Sequence, residues 1–394
     1  MVRTPSPLSE LAPTPAPNAL PRHVYVHVPF CRRRCTYCDF AIAVRRSVPV
    51  ADFIDSLARE IDLRYPDRAP RAIDTLYFGG GTPSLLGGDG VARLLDRLRA
   101  RFAFDDGAEL TLEANPDDVS AESARAWRAA GINRLSIGAQ SFDARVLVWM
   151  HRSHDAAQIA RAVWAARAAG IENLSLDLIF ALPSSLDRDW RDDLRRALEL
   201  EPAHLSLYGL TIEPATPLAR WRDRQLMHEA PDDMYERDFL LADETLGAAG
   251  FEHYEVSNYA RPGRRARHNS SYWRHLAYDG FGPSAHSFDT VRRRWNAREL
   301  AAWSRLIAAG GDPVEDHEVL TADNRNTERI YLGLRTNHGV EIAPPALAAD
   351  DAMLDRWVAA GWAMREGSRL RLTPRGWLRL DTLATDLTAL SSHS

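Results

Sequence analysis

The segment at residues 25–40 reads YVHVPFCRRRCTYCDF and joins a strand pattern to a cluster of cysteines. Its first part belongs to an alternating, β-branched run at residues 24–28, which is typical of a buried strand. Directly after that run come Cys31, Cys35 and Cys38, the only cysteines in a chain of 394 residues. Because every thiol of the chain lies within this one short segment, we expect the three to act together.

Five more apolar, β-branched runs follow the first, at residues 74–78, 110–114, 134–140, 174–180 and 205–210. Segments with helical spacing separate them and predict helices at residues 51–64, 91–102, 121–130, 156–169 and 190–200. Alternating strands and helices predict right-handed βαβ units and a parallel sheet. Since a closed TIM barrel needs eight units, the sequence predicts an α/β fold with an open six-stranded (β/α)6 partial TIM barrel.

The regular alternation ends near residue 215. The segment at 253–263 predicts one more strand and a turn, and residues 268–288, rich in Gly, Ser and aromatics, predict an ordered loop. After a break at 308–317, the tail predicts helices followed by a short hairpin and resembles a winged helix. We therefore divide the chain into three parts: a disordered, Pro/Ala-rich lead-in at 1–21, the partial barrel at 22–308 and a small domain at 309–394.

Charge and hydropathy exclude two classes of partner. The chain has 49 basic and 54 acidic residues, a net charge of −5, so we expect no nucleic-acid binding. The tail is also more acidic than basic, which favours a packing or lid role for it. No apolar run reaches the about 18 residues that a membrane span needs, and the N-terminal segment has no apolar core of a signal peptide. We expect a cytoplasmic protein without a transmembrane segment.

The cysteine cluster suits an iron–sulfur cluster better than zinc. A structural zinc site usually has four protein ligands, and here only His27, in the predicted strand, could join the three thiols. Thiolates on short loops commonly bind iron–sulfur clusters. Three thiolates bind three irons and leave a fourth iron open, which is useful only if another molecule binds there.

Polar residues and glycines stand where the predicted strands end. They are Gly80, Gly81 and Thr82 after the second strand, Glu113 at the end of the third, Gln140 after the fourth, Arg152 in the next loop and Asp177 in the fifth. The carboxyl ends of parallel strands meet at one edge, where active sites of this architecture lie. Glycine there lets the backbone approach a ligand closely.

Seven motifs in order carry a family resemblance: YVHVPFCRRRCTYCDF, LYFGGGTPS, LEANP, SIGAQSF, LDLIFALP, YEVSNYARPG and RHNSSYW. Together they resemble the HemN/HemW branch of the radical S-adenosylmethionine (SAM) superfamily, whose hallmark is Cys-x3-Cys-x2-Cys. The likeness runs from about Tyr25 to the C-terminus, and residues 309–394 resemble the C-terminal domain of that branch. It implies a 4Fe–4S cluster on Cys31, Cys35 and Cys38, with SAM chelated at the open iron and cleaved, on reduction of the cluster, to a 5′-deoxyadenosyl radical.

The same resemblance assigns two sets of SAM contacts by motif. Tyr25, Gly80 and Glu113 would contact the SAM bound to the cluster, and the carboxylate of Glu113 suits its cationic amino group. A second SAM, as in the coproporphyrinogen III dehydrogenases of the branch, would contact the remaining candidates: Tyr37, Gly81, Thr82, Gln140, Arg152 and Asp177.

Position 40 separates two functions within the branch. The dehydrogenases carry a fourth cysteine two residues after the third, where this chain has Phe40, as HemW-type proteins do. The His-Asn-x-x-Tyr-Trp motif of HemW-type proteins is also present, beginning at His268. The resemblance therefore implies a heme chaperone that delivers heme to acceptor hemoproteins, membrane-bound respiratory enzymes among them, and a cofactor-dependent homodimer.

Two alternatives stay open beside the chaperone. One is an oxygen-independent coproporphyrinogen III oxidase or dehydrogenase, which acts by radical oxidative decarboxylation. The other is an unrelated radical enzyme such as a methyltransferase, which the lack of an additional domain or a basic face disfavours. No catalytic residue is assigned, and whether the chain is an enzyme is left open.

His268 is the candidate heme ligand, because a neutral imidazole is a usual axial ligand of heme iron. Arg264, Arg265 and Arg267 precede it and could pair with the propionates of heme. The alternatives are a loop histidine that holds backbone groups and a solvated basic run.

We expect one 4Fe–4S cluster per chain, and anaerobically reconstituted protein should contain about four irons and four sulfides. Because each thiolate binds its own iron, Cys35→Ser should remove most of the cluster. Iron and labile-sulfide analysis checks this, and stoichiometric zinc without sulfide would contradict it.

Overall fold

The computed structural model describes residues 21–66, 70–342 and 344–391. The predicted disordered lead-in at 1–21 lies, except for residue 21, outside the described residues.

Strands make up a large part of the described chain. In chain order they are β1 (His23–Val28), β2 (Phe30–Cys31), β3 (Ala43–Val44), β4 (Arg71–Gly80), β5 (Phe102–Ala114), β6 (Arg134–Gln140), β7 (Asn173–Phe180), β8 (His204–Gly209), β9 (Glu252–Glu255), β10 (Asn258–Ala260), β11 (Tyr278–Phe281), β12 (His286–Phe288), β13 (Arg292–Asn296), β14 (Val314–Val319), β15 (Val340–Glu341), β16 (Ala363–Glu366) and β17 (Arg369–Leu372).

The helices in chain order are α1 (Val50–Arg64), α2 (Gly87–Arg99), α3 (Ala121–Ala130), α4 (Ala144–Trp149), α5 (Ala156–Ala168), α6 (Trp190–Glu199), α7 (Pro217–Asp223), α8 (Asp232–Ala248), α9 (Arg267–Trp273), α10 (Leu300–Ala308), α11 (Ala322–Leu334), α12 (Pro344–Ala359), α13 (Pro374–Trp377) and α14 (Leu380–Ser391). Short 3-10 turns occupy Pro83–Leu86, Pro116–Asp118 and Ser184–Leu186. Within the described ranges, no helix is both long enough and apolar enough to span a membrane.

One large, mostly parallel sheet organises the α/β fold. Among the described residues, its strand order is β14-β13-β12-β11-β1-β4-β5-β6-β7-β8-β10-β9. The six predicted strands are confirmed as β1, β4, β5, β6, β7 and β8, which are adjacent, parallel and in chain order. Their carboxyl ends therefore meet at one edge, as the sequence predicts.

The prediction of a loop at residues 268–288 is wrong. The segment instead forms the helix α9 and the strands β11 and β12, and β11 pairs in parallel with β1 as a seventh parallel strand. Gly and aromatic composition misled the prediction because this short strand lacks β-branched residues, although Phe281 is fully buried in the core.

Other differences lie at element ends. The single strand predicted at 253–263 is a hairpin, β9 and β10, which extends the sheet beyond β8. The helix predicted to reach Phe102 ends at Arg99, because Phe102 already pairs with Arg71 in the sheet. The long helix α8 was not predicted.

The helices and the hairpin predicted for the tail are confirmed. After α11 and α12, the strands β16 and β17 pair antiparallel and, with β15, form a separate three-stranded sheet. The helices α13 and α14 follow, and Trp377 donates from Nε1 to the carbonyl of Leu334 at 2.9 Å. The division of the chain after residue 308 stays a prediction; β14, which follows it, pairs with β13 in the large sheet.

A buried carboxylate joins three parts of the fold. Glu60 of α1 accepts hydrogen bonds from Arg64 (2.9 Å), the backbone N–H of Gly282 (2.8 Å), Asn296 (2.6 Å) and Trp303 (2.9 Å). These donors compensate for the burial of the charge, and they come from α1, from the β11–β13 region and from α10.

We expect Glu60→Ala to lower the free energy of unfolding by about 3 kcal/mol, because it leaves Arg64 and the other donors buried without their acceptor. Urea unfolding followed by circular dichroism checks this. The matched control is Glu244→Ala, at an exposed position of α8, which should change the stability little. Equal effects of the two substitutions would contradict the linking role of Glu60.

Candidate functional site

The cysteine loop begins where β1 ends and is closed by backbone hydrogen bonds. Ala43 N–H donates to the carbonyl of Pro29 at 2.7 Å, and Arg45 N–H donates to that of Cys31 at 2.9 Å. Cys31 is buried, whereas Cys35 and Cys38 are half-buried. The loop therefore presents its thiols at the carboxyl end of the parallel strands.

The surroundings of Cys31 and Cys38 favour the protonated thiols until a metal binds. Burial raises the pKa of Cys31 and raises that of Cys38 to about 11. Cys31 Sγ lies 3.4 Å from Thr82 Oγ1, and Arg152 donates to Cys35 Sγ at 3.5 Å. Metal binding must displace the protons of Cys31 and Cys38, so loading of the cluster should release protons near neutral pH.

The donor set fits an iron–sulfur cluster. In the described part of the chain, no three His, Cys, Asp or Glu side chains converge as ligands of a single metal ion. Thiolates that each bind a different iron of a cluster do not need to converge on one point. When bound, such a cluster supplies electron transfer.

Gly80 and Gly81 hold the end of β4 against the loop. Gly80 has a φ of +110°, and a Cβ there would stand 2.5 Å from the ring of His27. A Cβ on Gly81 would stand 2.7 Å from the carbonyl oxygen of Phe30. Only glycine allows this approach, so any larger residue would move the cysteine loop.

Glu113 is held in place by two donors. Its Oε1 accepts from the hydroxyl of Tyr77 at 2.7 Å, and its Oε2 accepts from the backbone N–H of Gly80 at 3.2 Å. Burial raises the pKa of Glu113 to about 7, although both hydrogen bonds oppose the rise. Tyr25 stacks on Tyr77 with ring centroids 6.1 Å apart. The structure therefore brings together Tyr25, Gly80 and Glu113.

Tyr77 was missed by the sequence reasoning. It lies two residues before Gly79 in β4 and directly opposite Tyr25 in the sheet register. Because alternate residues of a strand share one face, this position could have been found once the strand was recognised.

Arg152 connects the cysteine loop with two strand ends. Besides Cys35, its guanidinium donates to Asn115 Oδ1 at 2.6 Å and to the carbonyl of Gly138 at 2.8 Å. The side chain of Gln140, a residue with a φ of +64°, lies over the same glycine. Thus Arg152 and Gln140 are brought together near Cys35.

The remaining candidates have different surroundings. Burial raises the pKa of Tyr37, which lies beside Cys35 and Arg152. Burial also raises the pKa of Asp177, which accepts hydrogen bonds from Ser136 at 3.0 Å and Ser175 at 3.2 Å. Neither serine was predicted.

His268 has both ring nitrogens in hydrogen bonds. Nδ1 lies 2.7 Å from Thr75 Oγ1, and Nε2 lies 2.8 Å from the hydroxyl of Tyr272. The residue is buried, and burial lowers its pKa well below the ordinary value. Coordination of iron by either nitrogen would break one of these bonds, so the heme role of His268 stays a prediction.

The neighbouring arginines have partners within the fold. Arg265 donates from Nε to Glu252 at 3.1 Å, and Arg267 donates to the carbonyl of Gly107 at 2.7 Å. These contacts give both side chains a local structural role. Their predicted pairing with propionates stays a prediction.

A cavity of about 510 Å³ adjoins the candidate SAM site. Its lining includes Tyr25, Gly80 and Glu113 together with Phe40. The aromatic residues Tyr272, Trp273, Tyr278 and Phe288, from α9, β11 and β12, also line it. The size of the cavity and the aromatic side chains in its lining suit a small-molecule ligand.

Comparison with known proteins places this site in a family. Residues 25–197 match the radical SAM superfamily, and residues 320–379 match the HemN C-terminal domain. The chain is 37% identical over 388 residues to the heme chaperone HemW of Mycobacterium tuberculosis (strain ATCC 25618 / H37Rv), covering 98% of both chains. The chain belongs to the HemW family of radical SAM proteins.

One further relative supports the family, and one solved structure supports the fold. The Escherichia coli (strain K12) heme chaperone HemW is 40% identical over 267 residues, which cover 68% of this chain and 70% of that one. The solved structure of coproporphyrinogen III oxidase HemN from Escherichia coli has a TM-score of 0.79 at 24% identity, covering 93% of this chain and 90% of that one. This likeness confirms the fold. Membership in the radical SAM superfamily implies a 4Fe–4S cluster and SAM.

If Glu113 binds the amino group of SAM, Glu113→Gln should weaken SAM binding about tenfold or more, because it removes a charge-assisted hydrogen bond while keeping the shape. At a pH well above the Glu113 pKa of about 7, Tyr77→Phe keeps the carboxylate charged and loses only one hydrogen bond to it, so its effect should be smaller. Anaerobic isothermal titration of cluster-loaded protein measures both. An unchanged dissociation constant in Glu113→Gln would remove Glu113 from the site.

The pH dependence of SAM affinity is a second test of the contact between Glu113 and SAM. The pKa of Glu113 is about 7. Protonation of this carboxylate removes the negative charge that attracts the cationic ligand. SAM affinity of the wild type should therefore fall as the pH drops through about 7, and that of Glu113→Gln should not show this step. A step that persists in the variant would assign the titration to another group.

Proposed function

We propose that the protein is a heme chaperone that binds heme and delivers it to acceptor hemoproteins. The proposal is supported by relatives named heme chaperone HemW, one of which aligns over 98% of both chains. The structural observation that carries it is Phe40, whose side chain is 62% exposed and lines the large cavity. At this position a phenylalanine cannot supply a thiolate and offers an apolar surface instead.

The cavity has the chemistry that heme requires. Heme is a flat apolar macrocycle with two anionic propionates and an iron that accepts an axial ligand. Aromatic walls such as Phe40 and Phe288 suit the macrocycle, and Arg298 supplies positive charge in the same lining.

In the proposed site, Cys31, Cys35 and Cys38 hold the 4Fe–4S cluster. The SAM bound to the cluster contacts Tyr25, Gly80 and Glu113. The side chains that are proposed to contact a second SAM are Tyr37, Thr82, Gln140, Arg152 and Asp177, with the backbone of Gly81. The proposal is supported by the grouping of several of these residues around the cysteine loop.

We further propose a cytoplasmic protein that forms a cofactor-dependent homodimer and serves acceptors that include membrane-bound respiratory enzymes. The proposed division of the chain is a radical SAM partial barrel with its heme-motif extension at 22–308 and a HemN-type domain at 309–394. The match of residues 320–379 to the HemN C-terminal domain supports the second part.

We expect the cluster-loaded wild type to bind hemin and to pass it to an apo-hemoprotein, without converting coproporphyrinogen III to protoporphyrinogen IX. Parallel anaerobic assays measure Soret absorbance during transfer and porphyrinogen products by chromatography. Phe40→Cys introduces a thiol at this position of the cavity, and this variant is compared with the wild type in both assays. Robust decarboxylation by the wild type, with no heme transfer, would contradict the chaperone function.

A further inference from the structure

A series of hydrogen bonds runs from the large sheet through the ring of His268 to a wall of the cavity. Thr75 Oγ1 lies 3.0 Å from Nδ1 of His23 and 2.7 Å from Nδ1 of His268. Nε2 of His268 lies 2.8 Å from the hydroxyl of Tyr272, a residue that lines the cavity. His23 and Thr75 are direct partners in the register of β1 and β4, so the sheet fixes this end of the series. We call these four side chains the relay.

The hydroxyl of Thr75 determines which nitrogen of His268 carries a proton. Thr75 is fully buried, and within the described ranges its hydroxyl has only the two imidazole rings as hydrogen-bond partners. Because a hydroxyl has one proton, it donates to one ring and accepts from the other. Burial lowers the pKa of His268 well below its ordinary value and lowers that of His23 to about 4. Both rings are therefore neutral near pH 7, and each has one N–H and one lone pair.

The relay therefore has two polarities. In the first, Thr75 donates to Nδ1 of His268, so Nε2 carries the ring proton and donates to Tyr272. In the second, Nδ1 of His268 donates to Thr75, and Thr75 in turn donates to Nδ1 of His23. The lone pair of His268 is then on Nε2, where it accepts from Tyr272. Only the second polarity offers a lone pair to an iron in the cavity.

Of the two ring nitrogens of His268, Nε2 is the one whose partner lines the cavity, whereas Nδ1 faces the buried Thr75. An iron that binds Nε2 takes the place of the Tyr272 hydroxyl, so the side chain of Tyr272 must turn aside. The backbone at the start of α9 is held separately, because Glu109 accepts from the N–H groups of Arg267 and His268, each at 3.0 Å. Heme binding can therefore displace Tyr272 and leave the rest of the relay in place.

We propose that Thr75 and His23 are positioning residues that hold the ring of His268 with its Nε2 lone pair directed to the cavity. The inference rests on the proposed chaperone function and on the prediction that His268 is the axial ligand of heme. In the heme-bound state, Nδ1–H of His268 donates to Thr75, whose hydroxyl donates to His23. An acceptor for the second N–H of a ligand histidine fixes the orientation of the ring and makes the ligand nitrogen a stronger donor.

Thr75→Val tests the acceptor, because it removes the hydroxyl and keeps the shape of the side chain. Hemin titration of the full-length, cluster-loaded protein should show an affinity about tenfold lower or more. The iron–histidine stretch of the ferrous form should move to lower frequency in resonance Raman spectra. The midpoint potential of the bound heme should rise, because a weaker donor stabilises ferric iron less.

Two further variants show whether the hydroxyl itself is responsible. Thr75→Ser restores the hydroxyl and should return the affinity, the stretch and the potential towards the wild-type values. The matched control is Thr111→Val in the neighbouring strand β5, where the hydroxyl is also buried but has no hydrogen-bond partner among the described residues. This control should leave all three measurements unchanged.

Variants of His23 test the direction of the relay. In His23→Phe, the proton of Thr75 has only His268 as an acceptor, which selects the polarity with a protonated Nε2 and should weaken hemin binding several-fold. His23→Asn keeps an acceptor close to the position of Nδ1 and should bind hemin as the wild type does. Because both sites act through one relay, His23→Phe combined with Thr75→Val should bind hemin no more weakly than Thr75→Val alone. Additive losses would contradict the relay.

The outcomes separate this inference from the function on which it rests. A wild type that binds no hemin would overturn both. Imidazole ligation that persists in His268→Ala would overturn the inference and leave the function standing. Ligation by His268 with unchanged affinity, stretch and potential in Thr75→Val would overturn the positioning role alone, as would equal losses in Thr75→Val and Thr75→Ser. If Thr75→Val does not fold, equal hemin affinities of His23→Phe and His23→Asn would overturn it.

Discussion

The close approach of two backbone segments at Gly80 and Gly81 is the constraint on which the site depends. Here the end of β4 passes against His27 and against the carbonyl of Phe30 without room for a Cβ. The N–H of Gly81 donates to the carbonyl of Val28 at 2.8 Å, and the N–H of Gly80 donates to Glu113. One contact therefore fixes both the start of the cysteine loop and the orientation of the acidic residue.

The cavity beside this contact is lined by parts of the chain that are far apart in sequence. Phe40 comes from the cysteine loop, Trp273 from α9, His286 from β12 and Leu332 from α11. The buried carboxylate of Glu60 ties α1 to the β11–β13 region, which supplies one side of the cavity. The C-terminal domain thus contributes to the same space as the radical SAM partial barrel, and heme and SAM would share it.

The sequence could predict the parallel sheet because its strands are buried on both faces and read as apolar, β-branched runs. It could not predict β11, which carries Tyr, Asp, Gly and Phe and is a strand only because β1 offers it an edge. The cysteine cluster was evident from spacing alone. The environment of His268 was not evident from the sequence, because the tertiary fold brings its partners Thr75 and Tyr272 to it.

The proposed function requires heme to bind, and the cavity beside the candidate SAM site is the proposed place. The most direct measurement is an anaerobic crystal structure of the full-length protein with its cluster, SAM and hemin bound. We expect a porphyrin between Phe40 and Trp273, with SAM at Glu113 in the same cavity. A porphyrin bound elsewhere, for instance against the surface formed by Tyr331 of α11 and Thr385 of α14, would contradict it.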